Sequence, residues 1–169
     1  NATSSALLTL YGSANAPVGL QVAATKDLTG DGVPDIATMF SNEDIVLHSG
    51  DVVGVQDIYS EMILIEGTEG SDTHAGQMGS ADFSGDGSAD LLIGSPNLSD
   101  SNTKEGRAYL FPGPITSSTT VTEAQVTIYG DFGSWSVFGY QVASAGDTNG
   151  DGLPEAMISA EGSSTLGTT

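Results

Sequence analysis

Three stretches of nine residues carry the same chemistry along this chain. "DLTGDGVPD" runs from Asp27 to Asp35, "DFSGDGSAD" from Asp82 to Asp90 and "DTNGDGLPE" from Asp147 to Glu155, all fitting D-x-[NST]-G-D-G-x-x-[DE]. Alternate positions bear oxygen, two glycines separate them, and a carboxylate closes each stretch. Asp, Asn and Gly are also what any surface turn prefers, and "NG" or "DG" alone signals only a hairpin. Turn preference does not account for three copies of one pattern. Hard oxygen donors spaced around a tight loop suit calcium, which takes about six to eight oxygens at about 2.3–2.6 Å and tolerates irregular geometry.

In the third loop this places Asp147, Asn149 and Asp151 at positions 1, 3 and 5, the Leu153 backbone carbonyl at position 7 and Glu155 at position 9. The same roles fall to Asp27, Thr29, Asp31, Val33 and Asp35 in the first loop, and to Asp82, Ser84, Asp86, Ser88 and Asp90 in the second. Gly150 and Gly152 permit the positive φ that such a wrap requires. Pro154 biases Leu153 toward extended backbone, so the chain leaves the loop heading into a strand. An EF-hand opens with the same residues but closes with a bidentate Glu at position 12 between helices. Position 12 here is Thr38, Ile93 or Ile158, all in predicted strands, so the ninth residue must close the site. Magnesium, with its strict octahedral geometry and retained waters, fits less well. Three Ca2+ sites are therefore expected. Thr29 and Ser84 are weaker ligands than Asn149, which favours the third loop. Without the ion the clustered carboxylates repel one another; with it the hairpin is pinned.

The elements that hold these loops repeat as well. "LTLYG" (8–12), "ILIEG" (63–67) and "VTIYG" (126–130) match, and "GLQVAAT", "GQMGSA" and "GYQVASA" lead into the three loops. "DIATMF", "DLLIGSP" and "EAMISA" follow the loops, then "DIVLHSG" and "RAYLFPG", each short and ended by Gly or Pro. These read as strands. Asp27 to Asp82 is 55 residues and Asp82 to Asp147 is 65. A period near sixty with four short strands per unit predicts an all-β chain of β-propeller blades, each a four-stranded antiparallel sheet. The divisions are an outer strand of a preceding blade (8–12), a blade (19–67), a second blade (75–130) and a partial blade (138–169) within one segment spanning 1–169. Most strands are apolar on both faces, as expected of sheets stacked between sheets. Two and a half to three blades leave two faces uncovered, so the chain is expected to be part of a larger propeller or assembly.

On these residues the chain resembles the FG-GAP repeats of integrin alpha-subunit propellers and their bacterial relatives. Phe138-Gly139 precedes the third loop and Gly94-Ser95-Pro96 follows the second, and the likeness runs from Leu8 to about Ala160. Val18-Gly19 and Ala75-Gly76 stand where "FG" is expected, and "TMFSN" and "ISAEG" replace "GAP". The resemblance implies a seven-bladed propeller with calcium in the hairpin joining the first two strands of a blade.

Composition narrows the functions. Against 22 Asp and Glu there are only Lys26, Lys104 and Arg107, so nothing could replace the counterions of a phosphate backbone, and nucleic acid is excluded. Nine of the 22 acids lie inside the three loops, where a cation would want them. Cysteine is absent, which removes disulfides, thiolate zinc sites and a thiol nucleophile. Apolar runs of four or five residues predict no membrane span, and the start at Asn1 carries no signal-peptide pattern, as expected of a mature or trimmed chain. Scarce basic residues, abundant Ser and Thr and a need for calcium point to an extracellular or cell-surface location.

His48 and His74 fall at unrelated repeat positions and read as surface or strand-end histidines. No Ser-His-Asp spacing, nucleophile elbow or phosphate loop appears, and each close carboxylate pair belongs to a calcium loop, so no enzyme is expected. Asn1 and Asn97 match the glycosylation acceptor pattern. Trp135 reads as packing between blades. The leading expectation is a calcium-rigidified extracellular module for adhesion or protein interaction, meeting a protein or glycan partner through variable loops such as "SPNLSDSNTKEG". The alternatives are a structural subunit of a filament or surface layer, self-associating through exposed blade faces, and the non-catalytic propeller part of a secreted enzyme.

Overall fold

The structure, a computed structural model, describes residues 8–12, 19–40, 44–60, 62–67, 77–98, 105–130 and 136–162. His74, Trp135, Asn1, Val18 and Ala75, and the chain beyond 162, lie outside them. Among the described residues regular structure is β throughout, apart from one 3-10 turn at Val121–Glu123. The strands are β1 (Leu8–Tyr11), β2 (Gln21–Ala24), β3 (Ile36–Met39), β4 (Ile45–His48), β5 (Gly54–Asp57), β6 (Ile63–Glu66), β7 (Met78–Ala81), β8 (Asp90–Ser95), β9 (Arg107–Phe111), β10 (Thr119–Thr120), β11 (Val126–Tyr129), β12 (Phe138–Ser144) and β13 (Ala156–Ala160). Two antiparallel runs of four, β2-β3-β4-β6 and β7-β8-β9-β11, are followed by the β12-β13 hairpin. Among the described residues these sheets do not close into a propeller, and no helix is long and apolar enough to cross a membrane.

Period-two alternation sends each strand's side chains to two different cores. Ala37, Met39, Ile45, Leu47 and Ile65 of the first sheet pack against Met78, Leu91, Ile93, Tyr109 and Phe111 of the second. Val46, on the opposite face of β4, meets Phe40, Ile58 and Leu10. Leu92, Ala108 and Leu110, on the far face of the second sheet, meet Val142, Phe138 and Ile158 of the hairpin. The apolar character of both faces, visible in "DLLIG", follows from each of the two larger sheets lying between two others.

A second device fastens the units, and the sequence did not announce it. The segment between the third and fourth strands of each of the two four-stranded units reaches back to the strand pair or sheet before it. β5 lies parallel to β1, with Gln56 opposite Leu10 and Asp57 opposite Tyr11. The next residue, Ile58, donates its amide to the Tyr11 carbonyl at 2.9 Å and is buried, and Tyr59 stacks on Phe40 with ring centroids 5.5 Å apart. In the second unit the arm starts after the Gly113-Pro114 peptide. Ile115 donates its amide to the Leu28 carbonyl at 2.7 Å, and the Ser118 hydroxyl accepts the Leu64 amide at 3.0 Å. Thr119 and Thr120 then pair with Ile65 and Glu66 before Val121 is buried. The two arms use one register: two polar residues against the strand, then one aliphatic into the core.

Glycines close the junction between the second sheet and the hairpin. A methyl on Gly94 would lie 2.0 Å from the Gly139 carbonyl oxygen, and one on Gly106 would lie 2.1 Å from that of Phe138. Gly139 itself has φ +86. The two halves of the FG-GAP signature thus face each other across one contact, where only backbone fits. Asn97, an acceptor pattern in the sequence, is buried at 7% exposure, which leaves no room for a glycan.

His48 ends β4, one of the two places expected of it, but it does not lie at the surface. It is buried, with no partner for Nε2, and occupies the position in β4 that Phe111 fills in β9. Burial pushes its pKa below the ordinary 6.5, opposed by a hydrogen bond to the Ile58 backbone.

Two predictions follow from this packing. Gly94→Ala should cost about 1–3 kcal/mol through overpacking, read as a lower urea midpoint; an unchanged midpoint would mean the junction is looser than described. Because the folded state holds His48 neutral, the unfolded chain takes the proton first as pH falls below about 6.5, so this contribution is present above that pH and shrinks beneath it. Urea unfolding at pH 7.5 and 5.0 should therefore show a smaller acid loss for His48→Phe than for the parent, and equal losses would refute the assignment.

Candidate metal centre

Each loop is built around its first aspartate. Asp27 accepts the amides of Gly30 (2.7 Å) and Gly32 (2.9 Å). Asp82 accepts those of Gly85 (2.7 Å), Asp86 (3.1 Å) and Gly87 (3.0 Å), and Asp147 those of Gly150 (2.6 Å), Asp151 (3.1 Å) and Gly152 (3.0 Å). The glycines at positions 4 and 6 have φ between +76 and +94, a region open to glycine and strained for other residues. At position 5, Asp31, Asp86 and Asp151 each accept the position 7 amide, of Val33, Ser88 or Leu153, at 2.8 Å. The loops are therefore three copies of one conformation.

They differ at the ninth residue. Asp35 and Asp90 are buried, at 1% and 0% exposure. Asp35 accepts the Leu28 and Thr29 amides at 2.7 and 2.8 Å and the Thr29 hydroxyl at 3.2 Å. Burial raises its pKa above the usual carboxylate value, against the pull of those three donors. Asp90 accepts the Ser84 amide at 2.8 Å and the Gly113 amide at 3.1 Å, with the Ser84 hydroxyl at 3.5 Å. Thr29 and Ser84, read from the sequence as ligands, thus turn toward the closing carboxylate.

In the third loop the closing residue is a longer glutamate in a more open place. Among the described residues, the carboxylates brought within 4.8 Å of one another are those of Asp147, Asp151 and Glu155. Asn149 lies among them: its Nδ2 donates to Asp151 Oδ2 at 2.9 Å and to Glu155 Oε1 at 2.8 Å. Positive hydrogen between two carboxylates is what a cation would supply there, and rotating the amide would offer its oxygen instead. The donor set, all hard oxygen, fits calcium.

Three contributors escaped the sequence reading. Ser49, at the end of β4, donates its hydroxyl to Asp31 and at 2.9 Å to Asp51. That bond and the Val33 amide hold the Asp31 pKa below its usual value, as the Leu153 amide and Asn149 do for Asp151. Gly113, at the end of β9, donates to Asp90. Thr148 gives both amide, at 2.6 Å, and hydroxyl to Glu155. The only signal was that "SG" and "PG" end the third strand of each complete unit.

Residues 75–111 match the FG-GAP repeat family. The chain is 29% identical over 154 residues to integrin alpha pat-2 of Caenorhabditis elegans and 28% identical to that of Caenorhabditis briggsae, in each case over 81% of this chain. It spans 12% of the length of these relatives. The chain carries an FG-GAP repeat and is distantly similar to integrin alpha pat-2.

The ninth residues predict a split between structural and ion-dependent roles. Asp90→Ala strands the part-buried amides of Ser84 and Gly113, at about 0.5–1.5 kcal/mol each, and should already destabilise the fold in chelator, any further loss in calcium measuring its part in holding the ion. Asp86→Ala, at an exposed position, should matter only in calcium. Denaturant midpoints in both buffers test this; an Asp90→Ala loss confined to calcium would contradict it.

Proposed function

We propose that this FG-GAP-containing chain is a calcium-stabilised, non-catalytic extracellular propeller module that serves adhesion or protein interaction. The observation that carries the reading is the gathering of Asp147, Asp151 and Glu155 around Asn149 in a loop whose conformation recurs at Asp27 and Asp82. In this reading Asp27, Thr29, Asp31, Val33 and Asp35, their counterparts from Asp82 to Asp90, and Asp147, Asn149, Asp151, Leu153 and Glu155 hold one Ca2+ per loop, and the third loop binds most tightly. The ion supplies positive charge that turns repulsion among the carboxylates into cross-linking of the first hairpin of each unit. Distant similarity to integrin alpha pat-2 supports the adhesive role, with the stacked sheets as blades.

Self-association is a second reading, favoured by apolar side chains left open at the two ends of the stack. Leu20 and Val22 are 60% and 62% exposed at one end, and Met157 is 54% exposed at the other. Light scattering across a concentration series separates the two, since a monomer at all concentrations argues against a filament subunit.

Thermal melting tests the calcium reading. Calcium at a hundred times its Kd adds about 2.7 kcal/mol per site, and about 2–4 °C per kcal/mol is expected for a chain of this size, so chelator should lower the midpoint by about 5–10 °C per site. Asp31→Ala, Asp86→Ala and Asp151→Ala should each remove part of that shift. Identical melting in calcium and chelator would end the proposal.

A further inference from the structure

Each arm described above covers the fourth strand of the preceding unit: β5 on β1, and β10 on β6. The fourth strand of the second unit, β11, is the edge of its sheet, and among the described residues nothing pairs with its outer side. The difference shows at matched positions of "ILIEG" and "VTIYG". Ile65 is fully buried, whereas Ile128 is 37% exposed, with Val126 at 42% and Tyr129 at 55%. The repeat also fixes which backbone groups face outward. Leu64 aims its amide at Ser118 of the arm, and Tyr11 offers its carbonyl to Ile58. Thr127 and Tyr129 hold the corresponding places in β11.

We propose that the outer edge of β11 is an acceptor for an extended peptide strand laid parallel to it, with two polar residues against Ile128 and Tyr129 and an Ile or Val next. Gln56-Asp57-Ile58 and Thr119-Thr120-Val121 are the two instances of that pattern already in the molecule, in one register. Main-chain hydrogen bonds supply the attachment and the aliphatic residue the selectivity, the mode of strand addition. Arg107 lies over the Tyr129 ring, 4.8 Å from its centroid, which places positive charge near the position that Asp57 occupies in the first arm.

The chain has no cysteine, so disulfide trapping reads this surface cleanly. A peptide of residues 112–124 carrying Thr119→Cys is mixed with the full chain carrying either Ile128→Cys or Val126→Cys. Trapping should be at least about fivefold faster at 128, the in-register position, than at 126. Val121→Asp in the peptide should abolish it. Thr127→Pro in the Ile128→Cys chain removes the outward amide and should abolish trapping too, while an edge proline leaves melting nearly unchanged. If that variant unfolds, the Val121→Asp peptide still decides. Equal trapping at 126 and 128, or trapping insensitive to Val121→Asp, overturns the proposal. So does preferential disulfide dimerisation of the Ile128→Cys chain, which would assign the edge to a second copy.

Discussion

The plane where the β3 and β4 face meets the β8 and β9 face supports everything else in this molecule. Strands of four to six residues cannot stand alone as an isolated hairpin. Full burial of a Leu or Ile contributes about 1.5–3 kcal/mol, and Leu28, Ile45, Leu47, Ile65 and Leu91 all sit at 1% exposure or less in this one cluster. Two of its members belong to the loops: Leu28 follows Asp27, and Ala89 precedes Asp90. Each of these loops is therefore bolted to the core at one end. The burial of Asp35 and Asp90 is a consequence, because each begins or adjoins a strand that runs straight into that plane.

The loops meet a physical conflict by a division of labour. A carboxylate brought near others must be met by donors or by a cation. Backbone amides, opened toward position 1 by two glycines, occupy some of the roughly four acceptor sites on each carboxylate and leave others facing inward. The first two loops have traded openness for rigidity, since their closing aspartates are spent on holding Leu28, Thr29, Ser84 and Gly113. The third keeps its closing group half-buried on a longer side chain, with Thr148 holding one carboxylate oxygen and Asn149 the other.

Much of this was legible in the chain because it repeats. Alternate oxygens with glycine between them restrict the loop conformation strongly, and "LTLYG", "ILIEG" and "VTIYG" mark the fourth strands by apolar content alone. The arms were not legible. "GVQD" and "TT" have no apolar alternation, and they become strands only because a neighbour's edge offers them partners, which is information stored in another unit. Their one local trace is the lone aliphatic, Ile58 or Val121, after a polar pair. The strand-end place of His48 was legible but its burial was not, for a related reason: the residue type does not announce an apolar position, which only its repeat partner, Phe111, shows. The glycines at 94 and 139 were noticed as signature letters, but their meaning, an approach of two backbones with no space for a methyl, needed both sheets.

The arms give the chain a direction. Both reach toward the amino terminus, so a unit is secured by residues that are translated after it. The outer edges of β1 and β6 are therefore bare until the unit that follows each has been made, so these two flanks are closed in the order of the message.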